Sequence, residues 1–158
     1  MKYKKTNAMR ELDKATINYT VLCYPVDEHN LAADYVAQKI QQPLEIVFKT
    51  LAILNEKKEL IIACIPGDQE LDLKKLAKVA KNKKVEMLEL KELLNQTGYV
   101  RGGCSPLAIK KRHSTFMQQT ALNFPEIVVS AGQRGLQIKL NPQDLINYLH
   151  IQVADIIQ

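Results

Sequence analysis

The sequence predicts a mixed α/β (α+β) protein: a largely antiparallel sheet with flanking helices. Three observations carry this. Apolar residues recur at helical spacing in 31–40 and 72–80. Two pairs of β-branched runs enclose short polar turns, 55–58 and 131–135, as hairpins do. Strands and helices do not alternate in the strict order that a parallel sheet requires. A chain of 158 residues with 46% hydrophobic and 25% charged residues has the size and composition of one domain with one core, so residues 1–158 are expected to form a single unit.

The elements follow in order. Asn7 is a good helix cap, and the first helix is expected from there to Lys14. Tyr19–Tyr24 is rich in β-branched and aromatic residues and reads as a strand. Leu31, Tyr35, Val36 and Ile40 share one helical face, and Pro43 ends that unit. Glu45–Leu54 and Glu59–Ile65 form a hairpin about Asn55–Lys58. The first run is apolar on both faces, which suits a central strand. Asp72 caps a helix with Leu73, Leu76, Ala77 and Ala80 inward. Val85–Leu88 is a short strand and Glu89–Asn95 a short helix. Thr115–Asn123 is ambiguous. Ile127–Ser130 and Leu136–Leu140 are strands around the glycine turn Ala131–Gly135. Pro142 opens a last helix, Gln143–Leu149.

Composition excludes several classes. No apolar run approaches the length that crosses a membrane. The basic start, Met1-Lys2-Tyr3-Lys4-Lys5, leads into Ala8-Met9-Arg10-Glu11-Leu12 rather than an apolar signal core, so a cytoplasmic location is expected. Cys23, Cys64 and Cys104 are odd in number and far apart, unlike a disulfide framework or zinc ribbon. His29, His113 and His150 are scattered, so no metal site is expected. The net charge of +5 is moderate, but its distribution is uneven. Lys74, Lys75, Lys78, Lys81, Lys83 and Lys84 form a run free of acids. Lys110, Lys111 and Arg112 form a second cluster. Each is either a solvated face or a phosphate-binding surface.

Three segments could carry chemistry. Lys49 lies in the apolar run Val47-Phe48-Lys49-Thr50-Leu51 and shares a strand face with Val47, Leu51 and Ile53. It either snorkels to a sheet edge or enters a pocket, where it would be a fixed cation for phosphate or carboxylate. The loop Gly102-Gly103-Cys104-Ser105-Pro106 either makes a tight turn or aims backbone N–H groups at an anion or carbonyl oxygen. It is neither a Walker loop nor a dinucleotide fingerprint. Ser130, before the turn that contains Gly132, could donate to a ligand. Cys104 with His113 is a weak nucleophile–base pair, and Tyr24 could close a pocket wall or belong to the core.

Together, Phe48-Lys49-Thr50-Leu51, then Thr97-Gly98-Tyr99-Val100-Arg101-Gly102-Gly103-Cys104-Ser105-Pro106 with Lys110-Lys111, then Val129–Leu136, resemble the bacterial Cys-tRNA(Pro)/Cys-tRNA(Cys) deacylases of the YbaK/EbsC type. These are free-standing relatives of the editing domain inserted in prolyl-tRNA synthetases. The resemblance implies that fold and the trans-editing hydrolysis of mischarged Cys-tRNA(Pro), with the substrate's own thiol as nucleophile and no cofactor or metal. By this resemblance Lys49, Gly102 and Gly103 would be catalytic. Tyr24, Thr50, Cys104, Ser105, Pro106, Ser130 and Gly132 would contact the substrate. On the charge reading, Lys81, Lys83, Lys84 and Arg112 would hold the tRNA together with Lys110 and Lys111, which the resemblance also includes; it adds prolyl-tRNA synthetase as a further partner and no membrane or DNA. Many relatives carry glycine where Gln41 and Ala108 stand here, and lysine at Gln133. The alternatives are a deacylase for another small amino acid, or a non-catalytic module that binds a nucleotide or aminoacyl-tRNA.

Overall fold

The computed structural model describes residues 3–158. Met1 and Lys2 of the basic start lie outside the described residues. The elements in chain order are α1 (Asn7–Lys14), β1 (Thr20–Cys23), α2 (Ala33–Lys39), β2 (Phe48–Asn55), β3 (Leu60–Pro66), α3 (Leu73–Val79), β4 (Val85–Met87), α4 (Leu93–Thr97), β5 (His113–Gln118), β6 (Ile127–Gln133), β7 (Leu136–Leu140), α5 (Pro142–Leu149) and β8 (Gln152–Ala154). Short 3-10 turns lie at Leu44–Ile46, Leu90–Glu92 and Gln119–Asn123.

The strands form two sheets. An antiparallel sheet runs β1-β7-β6, and a five-stranded sheet runs β4-β2-β3-β5-β8. The β2–β3 hairpin is antiparallel as its sequence demands. β5 and β8 add in parallel, so the larger sheet is mixed. β3 is buried at every residue because both its faces are covered. Its even-numbered residues Leu60, Ile62 and Cys64 enter a core shared with β6, β7, α1 and α5. Its odd-numbered residues Ile61, Ala63 and Ile65 meet Leu71, Leu76 and Ala77 around α3. A third small cluster seats α2 on Val47 and Val128.

Several expectations needed correction. Thr6, not Asn7, caps α1, because its hydroxyl accepts the Met9 N–H at 3.2 Å. Asp72 does cap α3, accepting the Lys75 N–H at 3.0 Å. Leu44–Ile46 is a 3-10 turn rather than the start of β2, since Pro43 leads into it. The region 115–123 divides between β5 and a 3-10 turn. The glycine turn of 131–135 is shorter than expected: β6 continues to Gln133 through an irregularity between Ser130 and Gln133, where Gly132 has φ +99°. Strand β8 had no sequence signal; three residues of mixed polarity become a strand only because β5 offers a free edge.

The two departures at expected glycine positions have a conformational meaning. Gln41 and Ala108 both adopt left-handed backbone, at φ 57° and 60°. Gln41 sits just past α2, with Gln41 N–H on Gln38 O and Gln42 N–H on Ala37 O, which is a glycine-type helix ending.

Candidate functional site

A cavity of about 710 Å³ opens beside β2. Its floor is Phe48–Ala52, five consecutive residues of one strand. The stretch just before α2 lines the cavity beside the Arg101–Gly102 turn, which lies against Leu31, and Met87–Leu93 lines it as well. Ser130 of β6 and Gln137 of β7 close the back, where these two residues pair across the strands. Lys49 therefore lines a pocket, one of the two fates open to it in the sequence. Its side is the face of β2 shared with Leu51 and Ile53. Arg101 joins it in the lining, and among the described lining residues there is no aspartate or glutamate. The ion pairs formed by the described residues are exposed and leave Lys49 out. The cavity thus carries uncompensated positive charge, which favours an anionic ligand.

The glycine loop is held by local chemistry. Gly98 ends α4 in left-handed conformation, φ 83°, with its N–H on Leu94 O at 2.8 Å. The Thr97 hydroxyl donates to Leu93 O at 2.7 Å and accepts the Tyr99 N–H at 3.1 Å. Gly102 needs φ +85°, and a Cβ there would also come within 3.2 Å of the Leu31 side chain. Arg134 Nε donates to Arg101 O at 2.7 Å, tying the loop to the β6–β7 turn. On the far side the Tyr99 hydroxyl donates to Leu107 O at 2.5 Å.

Not every expected residue reaches the cavity. Lys49, Thr50, Gly102, Cys104 and Ser130 line it. Gly103, Ser105 and Pro106 are buried behind it. The Ser105 hydroxyl accepts the Leu107 N–H, so it serves the loop's own geometry. Ser130 Oγ likewise accepts the Gly132 N–H at 3.1 Å. Tyr24 packs half-buried against the α2 cluster. Burial pushes the Cys104 thiol up to about 12, and that of Cys64 to about 12 as well. Cys104 is therefore a neutral thiol near pH 7, which argues against it as nucleophile. His113 lies outside the lining, with Nδ1 2.6 Å from Lys111 O.

The basic clusters separate. Lys110 and Lys111 line a second cavity of about 490 Å³ beyond α4, together with Gly132, Thr6 and Asn7. The Lys111 ammonium hydrogen-bonds Gln96. Arg112 is exposed beside them. Lys81, Lys83 and Lys84 line neither cavity; the Lys83 and Lys84 N–H groups hold Glu56. Sequence reasoning missed Gln137, Arg101 and the Met87–Leu93 wall. Gln137 had no signal, since an isolated glutamine in an alternating strand ordinarily faces water. Arg101 stood inside the loop motif and could have been flagged there.

Among the described residues no helix is long and apolar enough to cross a membrane. Residues 27–148 match the family described as "Aminoacyl-tRNA editing domain". The chain is 44% identical over 153 residues to an Enterococcus faecalis (strain ATCC 700802 / V583) protein named "Putative Cys-tRNA(Pro)/Cys-tRNA(Cys) deacylase EbsC", covering 97% of this chain and 93% of that protein. It is 26% identical over 115 residues to the Bacillus subtilis (strain 168) "Uncharacterized protein YwhH", 73% of each chain. Among solved structures, hypothetical protein APE2540 superposes with a TM-score of 0.89 at 18% identity, covering 97% of this chain and 100% of that one. A structure described as "a putative trans-editing enzyme for prolyl tRNA synthetase" superposes at 0.82 and 20% identity, with 98% and 99% covered. At such identities these two matches speak to fold alone. The family match over most of the chain, together with the 44% identical relative, establishes that this chain belongs to the aminoacyl-tRNA editing domain family and is an aminoacyl-tRNA deacylase.

Proposed function

We propose that the protein hydrolyses the ester of Cys-tRNA(Pro), with the substrate's own thiol as nucleophile. The observation that carries this is the make-up of the Lys49 cavity. It offers cations and backbone N–H groups, but among its described lining residues no carboxylate, and its one thiol is held neutral. Such a site can bind, orient and stabilise negative charge, and it relies on the substrate for a nucleophile. In this reading the substrate thiol loses its proton and its sulfur attacks the ester carbonyl carbon. The carbon–oxygen ester bond breaks, and the ribose hydroxyl leaves with a proton. Water then opens the resulting thiolactone to free cysteine.

Lys49 holds the phosphate or ribose of the terminal adenosine, and Gly102 faces the developing oxyanion, while Gly103, whose N–H is taken by Val100 O at 2.9 Å, holds the turn behind it. Thr50, Cys104 and Ser130 bound the amino acid. Ser105 and Pro106 hold the loop's shape, while Gly132 and Tyr24 support the turn around it. Lys110, Lys111 and Arg112 contact tRNA phosphates. The segments that build the cavity run from His29 to Gln137, which supports one editing domain over the whole chain. The 44% identical relative carries Cys-tRNA(Pro) and Cys-tRNA(Cys) in its name, which favours cysteine as the amino acid.

The test is a panel of tRNA(Pro) charged with Cys, Ala, Ser or Pro, incubated with substoichiometric protein. Cys-tRNA(Pro) should be hydrolysed with turnover, and Ser-tRNA(Pro) far more slowly. The two side chains are nearly equal in size, but a hydroxyl stays protonated where a thiol partly ionises. Equal rates for Cys and Ser would sink the substrate-thiol mechanism.

A further inference from the structure

The cavity floor has an unusual property: half of β2 has a bare edge. β2 joins β6 by a single bridge, Val47 with Val128, and joins β4 only over Ile53–Asn55. Between those points its outer edge has no strand partner. Three contacts fix which groups face that edge. Asn55 N–H bonds Glu59 O across the hairpin, and Val47 O accepts the Gly67 N–H on the same side, so the odd-numbered residues face β3. Ala52 O accepts the Leu88 N–H on the opposite side, so the even-numbered residues face outward. Pro66, which has no N–H, stands opposite Phe48, as this alternation requires. Phe48 C=O, Thr50 N–H, Thr50 C=O and Ala52 N–H therefore lie on the outer edge of β2, between the Val47–Val128 bridge and the β4 ladder, along residues that line the cavity. Backbone groups of this kind need partners.

They form two successive acceptor–donor pairs, C=O of one residue and N–H two residues on. A planar ligand with a donor beside an acceptor on one edge matches such a pair. β6 and β4 close the gap at its two ends, so a peptide strand cannot run through it. A second, independent feature lies at the same mouth. Met87 and Leu90 line the cavity and remain 45% and 59% exposed. Large apolar side chains left open at a cavity mouth suit an apolar ligand face. A flat apolar ring with a hydrogen-bonding edge is a nucleobase. Adenine presents N1 as acceptor and its N6 amino group as donor, side by side.

We infer that the bare edge of β2 pairs with the N1/N6 edge of the adenine at the tRNA 3′ end, the Thr50 N–H donating to N1 and the Phe48 C=O accepting from N6. Met87 and Leu90 cover the ring. This rests on aminoacyl-tRNA being the substrate and names how its last base is recognised. The main chain of Thr50 does the recognising, so its side chain can change without loss of base choice.

The test uses the full-length protein and an uncharged RNA hairpin ending in unpaired CCA. Binding is measured against hairpins whose last base is 1-deazaadenine, unsubstituted purine or 7-deazaadenine. Loss of N1 or of the amino group should weaken binding about tenfold, the effect of one or two neutral hydrogen bonds. The 7-deaza hairpin keeps both groups and should bind like CCA. Thr50→Val keeps the N–H and should keep the discrimination. Thr50→Pro removes an N–H that takes no part in the β2–β3 ladder, and should lose it. Equal binding of the CCA and 1-deaza hairpins to wild-type protein overturns the inference, whatever becomes of the proline variant. So does a folded Thr50→Pro protein that still discriminates, or an equal loss with the 7-deaza hairpin. None of these outcomes bears on whether Cys-tRNA(Pro) is hydrolysed. A protein that discriminates the base yet leaves Cys-tRNA(Pro) intact would overturn the substrate reading alone.

Discussion

Strand β2 has two parts with different duties. Ile53–Asn55 is paired on both edges, and Ile53 is fully buried under α3. Phe48–Ala52 is paired on one edge and forms a cavity floor on the other. In the first part a side chain contributes by filling volume. In the second, Lys49 and the exposed backbone contribute by meeting a ligand. A single strand thus anchors the sheet at one end and serves the site at the other. The two kinds of residue should fail in different ways when changed.

The largest effect is expected at Lys49. Lys49→Ala should lower deacylation by about 10²–10³-fold, the scale of losing one charge-stabilising group in an active site. Its thermal midpoint should stay near wild type, because the lysine pairs with no acid among the described residues. Hydrolysis and melting measured on one preparation would show it, and near-normal activity would place Lys49 outside the chemistry. Ile53→Ala is the counterpart. It should cost about 2–5 kcal/mol of stability by leaving a cavity in the core, while the folded fraction keeps its activity. Chemical denaturation with activity per folded molecule separates the two.

The glycine loop sharpens the comparison. Gly103 is buried behind the cavity, and a Cβ would meet the Arg134 backbone N at 3.3 Å. Gly103→Val should therefore push the loop out of line and lower kcat more than tRNA binding. An equal loss in both would make the loop a tRNA anchor. Similarly, charge reversal at Lys110 and Lys111 should weaken tRNA binding and flatten its salt dependence. The same reversal at Lys81, Lys83 and Lys84 should do less, since these line neither cavity.

Cys104→Ser should leave most activity, because the native thiol is neutral when deacylation proceeds. Burial raises this thiol to about 12, above the ordinary value near 8.5. The folded pKa is raised, so its contribution to stability is complete below about pH 8.5 and is lost as pH rises towards 12. The variant should thus show a shallower fall in stability between pH 8.5 and 11, with Cys64 retaining its own share. A correctly folded but inactive Cys104→Ser protein would restore the thiol as nucleophile. The smallest effect is expected from Ala108→Gly. Relief of left-handed backbone should stabilise the fold by about 0.5–1 kcal/mol, after allowance for the freer unfolded chain. A shift of the melting midpoint in the other direction would contradict it.

By itself the sequence determined the element types, the β2–β3 hairpin and the approximate place of the chemistry. Those depend on local periodicity, turn residues and caps such as Asp72, which act within a few residues. It also pointed to Lys49 and the glycine loop, because a charge in an apolar run and a double glycine are conspicuous in one dimension. The tertiary structure alone decided that β8 is a strand, that Gln137 and the Met87–Leu93 wall belong to the cavity, and that Lys110–Lys111 and Lys81–Lys84 serve different surfaces. It alone left part of β2 with one bare edge. Strand edges and cavity walls are made by partners distant in the chain, and a residue's own neighbours carry no record of which partner arrives or where it stops.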